Sequence, residues 1–172
     1  VENLLFITRI ENGTMQLNQQ PEMIEDIFRE AIHHLGRNKR NHNISMHLED
    51  DLLMANMDAR LIIQVLVNLM NNAIKYTPEN SKIVLSAKRI ENKILIEVQD
   101  DGNGVLHPDQ LFEMFYTENN RGGDTRRGMG LGLSLCKSII QSHGGTIWVE
   151  NVTPHGACFK FVLDAVEVKL YE

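Results

Sequence analysis

The sequence predicts an α/β fold, a two-layer sandwich in which helices cover one face of a mixed β-sheet. Three observations carry this expectation. Ile83–Ile90, Ile94–Asp100 and Ala157–Leu163 are rich in β-branched and aromatic residues and read as strands. Apolar residues recur at helical spacing over Glu22–Leu35 and Ala59–Tyr76, so both read as helices with one buried face. Strands and helices do not alternate strictly, which favours a mixed sheet over an all-parallel one.

Taken in order, Val1–Asn12 reads as a short helix whose Leu4, Leu5, Phe6 and Ile7 are too apolar for a free terminus, with Gly13 at the C-cap position. Its apolar surface needs a partner. Residues 14–21 read as a linker with room for a short strand, and Pro21 suits the start of the next helix. Over Glu22–Leu35 the residues Ile24, Ile27, Phe28, Ala31 and Leu35 share one face, and Gly36–His42 is a polar break. Two alternating segments, Ile44–Glu49 and Leu53–Met57, are expected to pair as a hairpin. Asp58 is the expected N-cap of the long helix Ala59–Tyr76, which Pro78 closes. Glu91-Asn92-Lys93 joins the next two strands as a hairpin turn. A loop with Gly102 and Gly104 follows, then a short helix near Asp109–Phe115, a polar loop, and a helix from about Gly130. Thr146–Asn151 and Ala157–Leu163 form a last strand pair, after which Asp164–Glu172 is left open between a tail and an added edge strand.

With 172 residues, 42% of them hydrophobic and 23% charged, the chain has the composition of one globular domain plus a short appendage. A net charge of −6 argues against a nucleic-acid partner, because no basic stripe can dominate phosphate contacts. Cys136 and Cys158 have neither metal spacing nor the look of a disulfide framework, which suits a reducing cytosol. No apolar run is long enough to span a bilayer, and no signal peptide is visible. Val1 already lies inside a helical pattern, so the chain is expected to be a piece of something longer.

Four stretches bear on chemistry. Gly128-Met129-Gly130-Leu131-Gly132-Leu133 places glycines at alternate positions before a helix, where bare backbone N–H groups and the helix end favour a polyphosphate. Plain turns also use glycine triplets. Gln64, Asn68, Asn72, Lys75 and Tyr76 recur on one face of the long helix. A solvated face would more naturally use Glu, Lys or Arg; this one offers a neutral oxygen for a hard cation, an ammonium and an aromatic ring. Asp100-Asp101-Gly102-Asn103-Gly104 ends an apolar strand with a carboxylate able to accept an exocyclic amine, although acidic turns of this kind are common. Tyr116–Arg127 holds Arg121, Arg126 and Arg127 among small polar residues; it is either a lid that closes on phosphates or an ordinary surface loop. Phe112 and Phe115 are read as core residues that anchor the start of this loop.

Together these stretches resemble the N, G1, F and G2 boxes of the histidine-kinase catalytic domain, whose ATP-binding fold is shared with gyrase, Hsp90 and MutL. The likeness runs from about Pro21 to Leu163. It implies a five-stranded mixed sheet backed by three helices. It further implies ATP and Mg²⁺ as cofactors, with Asn72 as the metal ligand, Lys75 and the lid residues Arg126 and Arg127 near the phosphates, and Tyr76 against the adenine. Asp100 would bind the adenine amine beside Gly102 and Gly104, Phe115 would flank the site, and Gly128, Gly130, Leu131 and Gly132 would line the hinge of the lid. Related ATPases carry a water-activating glutamate where this chain has Asn68, and an amide does not take a proton at neutral pH, so a kinase is implied over an ATPase. Leu111–Thr117, Arg126-Arg127-Gly128 and Pro154-His155-Gly156 are similar to sensor kinases of the potassium-response type.

The resemblance divides the chain into the end of a second dimerisation helix (1–13), a linker (14–21), the catalytic domain (22–164) and a tail (165–172). None of the seven histidines has the sequence context of the family's phosphoacceptor, so autophosphorylation of this chain is not expected. The implied partners are the phosphoacceptor domain of a homodimeric, membrane-bound parent and the receiver domain of a response regulator. The domain itself would be cytoplasmic, under a bacterial inner membrane. Ala157 stands where many relatives have Ser or Thr, which removes a hydroxyl from the expected adenine pocket.

Overall fold

The computed structural model describes residues 5, 7–9, 16–39, 41–50, 52–114, 116 and 132–166. A five-stranded mixed sheet runs in the order β2 (Asn43–Leu48), β4 (Lys82–Ile90), β5 (Lys93–Asp100), β7 (Ala157–Asp164) and β6 (Ile147–Asn151). The β2–β4 pair is parallel and the other pairs are antiparallel. The α-helices α1 (Ile24–Leu35), α2 (Ala59–Lys75) and α3 (Gly132–Ser142) cover one face. Their apolar stripes meet Ile83, Leu85, Ile96, Val98, Phe159 and Phe161 in one buried core. The opposite face is polar: Lys160 lies 3.6 Å from Glu97 and 2.5 Å from Glu150, across three neighbouring strands. Among the described residues, no helix is long and apolar enough to cross a membrane.

The two long helices bury the stripes expected from their spacing. In α1 these are Ile24, Ile27, Phe28, Ala31 and Leu35; in α2, Met70 joins Leu61, Ile62, Val65, Leu66, Leu69, Ala73 and Ile74. The β4–β5 hairpin is also as expected, with Glu91 at φ +56° in its turn.

Several elements differ from expectation. The segments expected as a hairpin lie in different sheets: β2 pairs with β4, whereas β3 (Met54–Met57) pairs antiparallel with β1 (Gln20–Met23) in a separate two-stranded sheet. The cause is the connection, where Asp50 Oδ1 accepts the amide of Leu52 at 3.0 Å, a local turn that leads the chain out of the large sheet. Helix α1 therefore starts at Ile24, and Pro21 sits in β1, an edge strand where its missing N–H costs no ladder bond. No helix forms over residues 109–114. Amides of Gln110, Glu113 and Tyr116 bond carbonyls three residues back, giving successive turns too short to propagate as a helix. Ala165 bridges Ala55, and the Val166 amide donates to Met54 O at 3.0 Å, so the chain leaving β7 joins the small sheet. At the other end, Leu5 and residues 7–9 are helical and Ile7 is buried in the domain's own core, which supplies the partner its side chain needs.

Asp58 occupies the N-cap position of α2, but its side chain makes no capping bond. Instead Oδ2 accepts the amide of Asn18 at 3.1 Å and a guanidinium N–H of Arg60 at 3.3 Å, tying residues 16–19 to the start of the helix. Burial alone would raise this carboxyl, yet the bonds from Arg60 and Asn18 hold it below its ordinary value.

Candidate functional site

The C-terminal turns of α2 and the end of β5 converge. Because β5 is the middle strand, its last residue, Asp100, is held on both sides and buried to 2% exposure. Asp100 Oδ1 accepts two backbone amides, from Gly102 at 2.9 Å and from Ala157 at 3.2 Å. These bonds fix the plane of the carboxylate and both fall on Oδ1. Gly102 is glycine for a steric reason, since a Cβ there would lie 2.8 Å from Thr77 Cγ2 and 3.2 Å from Asp100 Oδ1, with Tyr76 O at 3.5 Å. The same contacts bring Tyr76, Thr77, Asp100 and Gly102 into one locus. Gly104 has φ +81°, and a Cβ on it would meet Asn151 Oδ1 at 2.5 Å.

Upstream on α2, Asn68 and Asn72 are half-buried one turn apart. The Nδ2 atoms of both are buried and make no hydrogen bond among the described residues. A buried donor left unmatched costs about 1–3 kcal/mol, which suits a polar face kept for a ligand better than one built for stability. Asn68 lies near Cys136 of α3, whose thiol burial pushes up to about 12. The Lys75 ammonium sits 5.3 Å from the centre of the Tyr76 ring, so the cation and the aromatic face of the predicted site are neighbours.

Helix α3 runs from Gly132, where an added Cβ would meet nothing within 4 Å among the described residues. Phe112 is buried and packs edge-on against Phe159 of β7, with ring centres 6.0 Å apart, as its reading as a core residue requires. Phe115, Arg126, Arg127, Gly128, Gly130 and Leu131 lie outside the described residues. Of the predicted site residues that are described, Tyr76, Asp100 and Gly102 meet directly, and Asn68, Asn72 and Lys75 share the helix that ends there.

Sequence reasoning missed three supports. Ala157, singled out for its missing hydroxyl, contributes its backbone N–H to Asp100. Gly156, at φ +123°, leaves no room for a side chain because a Cβ would lie 2.3 Å from Asp100 O. Asn151 clamps the loop after β5 with two bonds to Val105, accepting its amide at 2.7 Å and donating to its carbonyl at 3.0 Å. Only the glycine leaves a trace in sequence; the other two contacts follow from β7 lying beside β5 and β6 beside β7, which no local pattern encodes.

For a hard cation the donor set is sparse. Among the described residues, no group of three or more His, Cys, Asp or Glu is arranged to hold a metal. That fits Mg²⁺ carried in with a polyphosphate, which needs only one or two protein oxygens and takes the rest from phosphate and water. Asn72, half-buried on the last turns of α2, carries a carboxamide oxygen of the kind that can supply one.

Comparison with known proteins agrees with this geometry. Residues 57–167 match the family described as histidine kinase-, DNA gyrase B-, and HSP90-like ATPase. The sensor protein KdpD of Clostridium acetobutylicum is 36% identical over 163 residues, covering 94% of this chain and 18% of that protein. The adaptive-response sensory kinase SasA of Synechocystis sp. is 35% identical over 169 residues, covering 95% and 43%. The chain thus spans less than half the length of these relatives. The catalytic domain of the histidine kinase ThkA superposes with a TM-score of 0.73 at 30% identity, covering 87% of this chain and 96% of that one. The same kinase in complex with the response regulator TrrA gives 0.75 at 26% identity, covering 96% and 48%. The chain belongs to the family of histidine kinase-, DNA gyrase B- and HSP90-like ATPases, and within it to the catalytic domains of histidine kinases.

Proposed function

We propose that this domain binds Mg-ATP between the end of α2, the end of β5 and the start of α3, and transfers the γ-phosphoryl group to a histidine on the dimerisation domain of its parent. Relay to an aspartate of a response regulator would follow. The observation that carries the reading is Asp100: a buried carboxylate whose Oδ1 is occupied by two backbone amides, so that Oδ2 can accept an exocyclic amine. Adenine offers such a donor there; guanine offers a carbonyl oxygen, which a carboxylate repels.

Asn72 would hold Mg²⁺, and the ion when bound would neutralise charge on the transferring phosphoryl. Lys75 supplies a second positive charge to the phosphates, and Tyr76 presents its ring to the base. Arg126, Arg127 and the glycines from 128 to 132 are proposed to close over the triphosphate. Asn68 supports a kinase over an ATPase, because an amide beside the metal ligand does not take a proton from water. The nucleotide would then wait for an imidazole, whose nitrogen forms the new P–N bond as the P–O bond to ADP breaks. Similarity to KdpD favours a potassium-response sensor, and SasA, nearly as similar, marks the alternative stimulus. The parent is proposed to be a homodimeric sensor in a bacterial inner membrane.

Mixing this chain with a separately produced dimerisation segment of its parent and radiolabelled ATP tests the reading. Acid-labile label is expected on the segment and none on this chain. ATP binding without transfer would make the chain a nucleotide-sensing regulatory module instead.

A further inference from the structure

We infer that His42 is a positioning residue for the base end of the nucleotide site, acting through Thr77. The inference rests on the proposed reading of Asp100 as the base-recognising group. His42 lies outside every element assigned to the site, between the 3₁₀ turn Gly36–Lys39 and β2, and it is 6% exposed. Its Nδ1 donates to Lys39 O at 2.8 Å, since a carbonyl can only accept, and its backbone amide donates to the same oxygen at 2.8 Å. Main-chain contacts thereby fix the ring, and its Nε2 meets Thr77 Oγ1 at 2.7 Å.

Thr77 is buried directly after Tyr76, the C-cap of α2, and its hydroxyl donates to Ala73 O at 2.7 Å. A threonine side chain chooses among three staggered rotamers. The two partners of this hydroxyl select the one that lays Cγ2 over Gly102, the contact a Cβ on Gly102 would make at 2.8 Å. Gly102 in turn gives its amide to Asp100 Oδ1 at 2.9 Å. The chain of contacts therefore runs from Lys39 through His42, Thr77 and Gly102 to the carboxylate that reads the base. The Asp100 plane is set from one side by the Ala157 amide and from the other by this relay.

Without the imidazole, the Thr77 hydroxyl loses one of these two partners and the Gly102 peptide loses its fixed neighbour. The consequence falls on base discrimination rather than on phosphate binding. Isothermal titration of the 172-residue chain with Mg-ATP and Mg-GTP, beside thermal melting, tests this. For His42→Ala, the ratio of ATP to GTP affinity should fall about three- to tenfold, the range for one lost hydrogen bond. His42→Gln, whose carboxamide can still hydrogen-bond the hydroxyl, should recover most of the ratio. Thr77→Val keeps the volume and loses only the hydroxyl. It should show the same loss, with nothing further lost in the double variant, and it gives the answer if His42→Ala does not fold. A lower melting temperature with an unchanged ATP to GTP ratio in both single variants would overturn the inference and leave the Asp100 reading intact. An unsubstituted chain with no preference for ATP would overturn both.

Discussion

Buried where α2 meets α3, His143 accepts the Asp58 amide at Nε2 (3.0 Å) and donates from Nδ1 to Ile139 O (2.7 Å). Both bonds form only with the neutral ring protonated on Nδ1, and burial, outweighing the Ile139 bond and the Asp58 charge, lowers its pKa. Because the folded value lies below the unfolded one, the His143 contribution is full above about 6.5, the ordinary histidine value, and is lost as pH falls below it. Urea midpoints measured from pH 8 to 5 should therefore fall with acidification, and His143→Leu should flatten that slope relative to the unsubstituted chain. The two thiols give a second residue-scale expectation. Burial pushes both Cys136 and Cys158 up to about 12, so a disulfide reagent at pH 8 should label neither until the chain is unfolded. Asn68 gives a third: Asn68→Glu places a proton acceptor beside the metal ligand and should raise basal hydrolysis of saturating Mg-ATP about a hundredfold, within the range for a general base. Unchanged turnover would remove Asn68 from the distinction between kinase and ATPase.

Among the elements, those legible in the sequence are set by their own periodicity. The buried faces of α1 and α2 and the β4–β5 hairpin needed nothing from the rest of the chain. The same holds for the helix-borne half of the candidate site, where Asn68, Asn72, Lys75 and Tyr76 declare a shared face by spacing alone. What was not legible depends on distant partners. An alternating segment does not say which strand it joins, so β2 and β3 looked like a hairpin although each finds its partner elsewhere. Likewise the amide of Ala157 reaches Asp100 from 57 residues away, and His42 reaches Thr77 from 35 away. Gly132 separates the two kinds of requirement. With nothing among the described residues within 4 Å of an added Cβ and a helix running from it, Gly132→Ala should leave the melting temperature unchanged or raise it slightly, the gain in helix propensity being at most about 1 kcal/mol. If a phosphate approaches this backbone, the same change should weaken Mg-ATP binding in a titration; equal affinity would mark Gly132 as a helix start without a ligand role.

For the whole molecule, strand order and chain order disagree. The sheet reads β2-β4-β5-β7-β6, so β7 is inserted between β5 and β6, and among the described residues β6 has no other neighbour. Removing residues from 152 onward should therefore cost more than one strand: it leaves β6 unpaired, exposes one edge of β5 and takes away the Ala157 amide. The shortened chain should show no cooperative thermal transition and no binding of a fluorescent ATP analogue. The consequence reaches into synthesis. A ribosome delivers Asp100 well before Ala157, and at about 5–20 residues per second the interval lasts several seconds. During that interval the Asp100 carboxylate exists without its second amide and β5 without its second neighbour. On the proposed reading, a nascent chain would pass through a stage in which most of its candidate nucleotide-binding motifs have been made while Asp100 is not yet held from both sides, and competence would arrive with β7 rather than accumulate along the way.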